Sequence, residues 1–87
     1  MNTKVRADEI ERRGFDYLQQ DRWSEARECF EEMLTLPLSP MRQVKVLRNI
    51  MGTYMKEGMR EEAIHIGEKA LEIIETYNLY ETTATEG

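Results

Sequence analysis

Cysteine occurs once in the 87 residues, as Cys29, so no intrachain disulfide is possible. A lone thiol fits a reducing compartment. Histidine also occurs once, as His65, which leaves no material for a Ser-His-Asp set or a histidine-rich metal site. There is no glycine-rich phosphate loop and no Cys-x-x-Cys pair. No apolar run approaches the roughly 18 residues that identify a bilayer-spanning helix. The opening stretch, MNTKVRADEIERR, is charged throughout and lacks the apolar segment of a secretory signal. These absences point away from an enzyme, a metal or cofactor protein and a membrane protein. The expected compartment is the cytoplasm.

What remains is a surface-rich composition, with 40% hydrophobic and 33% charged residues. It is too apolar for a wholly disordered chain. A chain of this length makes at most one domain and buries only about 60–65% of its unfolded surface. The net charge of −5 at pH 7 argues against a general nucleic-acid binder and against anionic membrane surfaces.

Helical periodicity dominates, and no segment alternates apolar and polar long enough for a strand. The first helix is predicted from Thr3 to Gln20, with Ala7, Ile10, Gly14, Tyr17 and Leu18 on one face. Asp21 and Arg22 break the pattern, with Asp21 as a candidate cap. The second helix is predicted from Trp23 to Leu36, presenting Ala26, Phe30, Met33 and Leu34, and is ended by LPLSP. Ser39 suits an N-cap with Pro40 at the first helical position, where a missing N–H is harmless. The third helix runs on to Glu57, and Gly58 suits its C-terminal cap. The fourth is predicted from Met59 to Tyr77, stopping near Asn78. Residues 79–87, LYETTATEG, read as a flexible tail.

One face of the fourth helix runs Ala63, Gly67, Ala70, where a core-facing helix normally offers Leu or Ile. Glycine inside a helix costs about 1 kcal/mol relative to alanine, so close approach by another helix is the expected compensation. The register of the two halves agrees. Tyr17 precedes Ala26 by nine residues and Tyr54 precedes Ala63 by nine. Four residues after each tyrosine comes a turn residue, Asp21 and then Gly58. Ala26 and Ala63 stand 37 residues apart, on the scale of helix–turn–helix repeats.

This pattern resembles the tetratricopeptide repeat family, over about residues 7–74. The first copy reads Ile10, Arg13-Gly14, Tyr17, Ala26, Phe30 and Met33, with Pro37 near the terminal proline. The second reads Leu47, Ile50-Met51, Tyr54, Ala63, Gly67 and Ala70. Arg13 replaces the usual Leu, Gly67 the usual aromatic, and Glu75 the terminal proline, while PLSP accounts for the longer offset. The resemblance implies an all-α chain of two repeats, about residues 7–38 and 44–77, forming a short α-solenoid fragment of four antiparallel helices. A four-helix bundle with coincidental spacing is the alternative.

Two local signals read as structural rather than chemical. Glu62 and His65 have the Glu-x-x-His spacing of di-iron bundles, but such a site needs a second copy, and helical projection puts His65 opposite the apolar face. Cys29 borders the apolar face and reads as a small buried hydrophobe.

Charge is segregated. From Ser39 to Lys56 the chain carries Arg42, Lys45, Arg48 and Lys56 and no acidic residue. The second helix carries Glu25, Glu28, Glu31 and Glu32 against Arg27. In the family, the first helix of each repeat lines a concave groove. The resemblance therefore implies a basic, partly apolar groove formed by Glu11, Phe15, Leu18 and Gln19 with Lys45, Arg48, Asn49, Gly52, Met55 and Lys56. A protein or peptide segment combining acidic and apolar side chains would suit it. An ordinary solvated helix face is the competing reading. The Lys and Asn clamp with which some family members hold a terminal carboxylate is not reproduced, because Glu11, Phe15, Arg48 and Gly52 occupy its positions.

The fourth helix is richer in large apolar residues than one small bundle requires. Repeat arrays normally end in a helix with a polar outer face. Ile66, Ile73, Tyr77 and Tyr80 are therefore expected to support self-association, most simply as a homodimer, unless one bundle uses the whole apolar arc. The sequence thus predicts an interaction module or adaptor, or alternatively an assembly subunit whose partner is its own copy.

Overall fold

The computed structural model describes residues 2–80, and the sequence reading of the tail beyond Tyr80 lies outside them. Four helices follow in order: α1 (Thr3–Gln19), α2 (Trp23–Met33), α3 (Pro40–Lys56) and α4 (Arg60–Tyr77). No described residue forms a strand. The Asn2 side chain accepts the backbone N–H groups of Lys4 and Val5 at the start of α1. Ser39 accepts that of Arg42 at 3.2 Å, with Pro40 opening α3. These side chains supply acceptors that the first helical turn lacks.

Both hairpins turn by the same device. At the end of α1, Arg22 N–H donates to the Tyr17 carbonyl at 2.9 Å and Asp21 N–H to that of Leu18 at 3.1 Å. At the end of α3, Met59 N–H donates to the Tyr54 carbonyl at 2.8 Å and Gly58 N–H to that of Met55 at 3.1 Å. The pivot residue is left-handed each time, Asp21 at φ 59° and Gly58 at φ 75°. This paired bonding closes a helix with a left-handed residue just past its end. Asp21 therefore terminates α1 through its backbone. The N-cap of α2 is Arg22, which makes no side-chain capping bond. The tight i→i+3 bonds of Leu34, Thr35 and Leu36 end α2 at Met33, three residues earlier than the periodicity predicts. Pro37 disfavours helical geometry at Leu36.

The helices pack in sequence, α1 on α2, α2 on α3 and α3 on α4. One core joins Ala7 and Ile10 to Ala26, Cys29, Phe30 and Met33 and to Val46 and Ile50. A second holds Val44, Leu47 and Ala70, with Ile73, Ile74 and Leu79 packed on it. Leu79 is thus part of the packed body rather than of a tail. Its N–H donates to the Ile74 carbonyl at 2.9 Å, across left-handed Asn78.

The small residues of α4 do lie against another helix. Ala63 and Ala70 are buried, and a Cβ on Gly67 would stand 3.1 Å from Met51 Sδ. The first hairpin has the reverse arrangement. A Cβ on Gly14 of α1 would meet the ring of fully buried Phe30 at 2.8 Å. Gly14 and Met51 are equivalent positions, as are Phe30 and Gly67. Large and small have changed places between the two hairpins.

Between α2 and α3 sits a polar cluster. The Arg27 side chain is only 12% exposed and lies 2.7 Å from a Glu57 carboxylate oxygen. It also donates to Thr53 Oγ1 at 3.2 Å and stacks 4.1 Å from the Tyr54 ring centroid. Thr53, itself buried, donates to the Ile50 carbonyl at 2.6 Å. Among the described residues no fully buried side-chain nitrogen or oxygen lacks a hydrogen-bond partner, as burial of polar groups requires.

Candidate partner-binding groove

The backbones of α1 and α3 do not approach closely, so the space between them is bridged by side chains alone. At one end Arg42 closes it, 2.6 Å from Asp8 and 3.4 Å from Glu11. The hydrogen bond from Arg42 holds the Asp8 carboxyl below its usual range; desolvation opposes it, and Lys4 adds a smaller lowering. Beyond this clasp lies an open cavity of about 510 Å³, lined by Glu11 and Phe15 of α1 and by Lys45, Arg48, Asn49 and Met51 of α3. Residues four apart on α1, and three and four apart on α3, share a helix face. That spacing turns all of them except Met51 toward the same gap.

The chemistry of the lining is mixed. Phe15 remains 42% exposed although its ring meets Phe30 edge-on at 5.6 Å. Glu11 is already engaged by Arg42. Lys45 and Arg48 are exposed, and among the described residues neither has an acidic group within ion-pair distance. Asn49 is half-buried beside them with an amide that can both donate and accept. Added carbon at Gly52 would meet nothing within 4 Å, which keeps the groove open one turn further along α3. Such a lining can hold an apolar side chain on Phe15 while two cations face a carboxylate.

Five groove residues of the sequence reading, Glu11, Phe15, Lys45, Arg48 and Asn49, come together here. Leu18, Met55 and Lys56 do not. Leu18 packs on the first core, Met55 is exposed away from the cavity, and Lys56 Nζ stands 5.6 Å over the Trp23 ring. Each lies further along its helix, where the hairpin turn rather than the gap is the neighbour. Met51 was missed, and its only sequence signal was the glycine at 67 that needs a bulky partner.

The residues predicted for self-association also separate. Ile66 and Ile73 are half-buried and line a cavity of about 380 Å³ with Leu34, Leu47 and Lys69, between α2 and α4. Tyr77 and Tyr80 are exposed, and Tyr80 lines a different cavity with Met41 and Leu71. Ile66 and Ile73 are seven residues apart, as are Ile64 and Leu71, so α4 carries two apolar lines that sequence spacing alone merges.

His65 is exposed beside Glu61, Glu62 and Tyr54, and no described group of His, Cys, Asp and Glu is arranged to hold a metal. Cys29 is buried, and burial pushes its thiol above the ordinary range. No helix among the described residues is long and apolar enough to cross a membrane. No protein-family model matches the chain, and no curated protein or solved structure matches it either.

Proposed function

We propose that this chain is a two-repeat interaction module of the tetratricopeptide kind, working in the cytoplasm. In this reading the groove between α1 and α3 takes a partner segment that combines acidic and large apolar side chains. The observation that carries it is the exposed Phe15 beside two cations, Lys45 and Arg48, that have no acidic partner among the described residues. Exposed charge of one sign steers an oppositely charged partner and selects against like-charged ones. An aromatic face supplies apolar contact at little conformational cost. The recurrence of one hairpin geometry after 37 residues supports the repeat assignment. Exposed apolar residues on α4 favour a second reading, self-association, which can coexist with the first.

Selection of phage-displayed peptides on the immobilised protein tests the groove. Peptides pairing Asp or Glu with Phe, Leu or Trp should be enriched, and they should be lost when Lys45→Glu replaces the wild type. Lys45 is chosen because Arg48 also borders a second surface. Enrichment of peptides indifferent to Lys45→Glu, or of none, overturns the proposal.

A further inference from the structure

The repeat relation identifies which surface of the second hairpin is uncovered. In the first hairpin, α3 lies over Arg27 of α2 and over Leu34 just past its end, and engages Glu11 of α1 through Arg42. Shifted by 37 residues, those three positions are Ile64, Leu71 and Arg48. No described element covers them. Ile64 is 54% exposed and Leu71 50%, and a cavity of about 440 Å³ opens among Met41, Arg48, Leu71, Ile74 and Tyr80. Where the first hairpin presents Arg27, joined to Glu57, the second presents isoleucine. An apolar end face of this kind marks an interaction site.

We infer that a second copy of this chain docks on this end face, each copy covering the other about a two-fold axis. The inference deepens the self-associating part of the proposed function and names its surface. Head-to-tail stacking would bring α1 of the next copy to the place that α3 occupies on the first hairpin. The α3 side chains sunk into the first core there are Val46 and Ile50, with Thr53 below them. Their equivalents on α1 are Glu9, Arg13 and Asp16, all exposed. Burying these charges against Leu71 and Ile74 opposes that arrangement, since Glu9 and Asp16 have no ion-pair partner among the described residues and Arg13 has only Glu32 at 3.9 Å. A two-fold arrangement needs only the face itself, which must then be self-complementary.

Charge is distributed to allow this. Arg48 borders the apolar patch on its α3 side, while Glu68 and Glu75 lie one helical turn either side of Leu71 on α4. None of the three has an ion-pair partner among the described residues. In a two-fold pair the α3 edge of one copy can face the α4 edge of the other, so each arginine meets a carboxylate around a shared apolar centre.

Sedimentation equilibrium of the whole chain over a concentration series is the test. The mass should rise from 10.3 kDa towards twice that value and no further. Leu71→Glu should weaken the dimer about a hundredfold, with its helical circular dichroism unchanged because Leu71 is half-exposed. Glu9→Leu, on the opposite end, should leave the association constant unaltered. A constant 10.3 kDa for the unmodified chain overturns the inference. So does a Leu71→Glu variant that dimerises as well as wild type, or growth beyond the dimer. Lys45 does not line this face, so peptide binding and dimerisation can fail independently.

Discussion

In the first hairpin a glycine stands on the leading helix and the bulky side chain on the trailing one. In the second, Met51 leads and Gly67 trails. The backbone turns by the same hydrogen bonds in both, around Asp21 in one case and Gly58 in the other. Volume is therefore conserved across each pair rather than at each position, because two helices at close range need one small residue between them but not on a particular side. The surroundings differ as well. The first hairpin is covered by α3 on one flank and presents charge on the other. The second carries half-exposed Ile64 and Leu71 in the place where the first is covered. Two hairpins closed by the same turn thus have unlike ends, one charged and one with exposed apolar residues.

The comparison breaks most severely at Phe30. Phe30→Gly removes a fully buried ring, and about 4–6 kcal/mol should be lost from cavity formation and helix propensity together. Gly14→Met alone should overpack the same contact. The double variant Gly14→Met, Phe30→Gly copies the arrangement of the second hairpin, and it should be more stable than Phe30→Gly alone. Urea denaturation of the four proteins completes the cycle, and strict additivity would mean that the two positions do not exchange volume.

Alanine at the two glycines sharpens the contrast. At Gly14 the new Cβ meets a ring enclosed by the core, and Gly14→Ala should destabilise by about 1–3 kcal/mol. At Gly67 it meets only the sulfur of a flexible methionine. There the gain in helix propensity, about 1 kcal/mol, should offset the crowding, leaving Gly67→Ala near neutral or more stable. Thermal midpoints of both variants against wild type decide this, and equal losses would refute the asymmetry.

The ion pairs also divide by burial. Arg27→Met should cost about 1.5–3 kcal/mol, because it strands Glu57 and removes a donor to buried Thr53. Arg22→Met breaks an exposed pair with Glu25 and should change stability by less than about 1 kcal/mol. Chemical denaturation in parallel would contradict this if Arg22 mattered as much as Arg27.

Much of the fold was legible because its punctuation is local. Ser39 with Pro40, Gly58 and Asn78 act through their own backbone or neighbouring residues, and helix limits near them fell within a few positions. Asp21 was legible as a turn residue matching Gly58, and it closes α1 through its left-handed backbone rather than through its side chain. The Arg27 cluster was invisible because its partners lie about one helix–turn–helix away and nothing in a charged residue names its mate. For the groove, the tetratricopeptide resemblance implied Glu11, Phe15, Lys45, Arg48 and Asn49 together. It could not tell where the gap ends and the hairpin turn begins, so it ran on to Leu18, Met55 and Lys56. On α4 the spacing gave two apolar lines of equal period, and only the packing of Ile73 against Leu47 and Ala70 shows which one is spent inside the molecule. A charge at Ile73 would disturb the fold itself, which is why Leu71 is the sharper probe of association.

The most direct measurement of the central claim is a calorimetric titration of one selected acidic–apolar peptide into wild type, Lys45→Glu and Phe15→Ala, at low and at physiological salt. The account predicts about tenfold weaker binding for each variant, with a salt dependence that is smaller or reversed in Lys45→Glu, because that variant loses one of the two screened cations. Equal affinity for all three proteins, or binding insensitive to salt throughout, would contradict a partner site between α1 and α3.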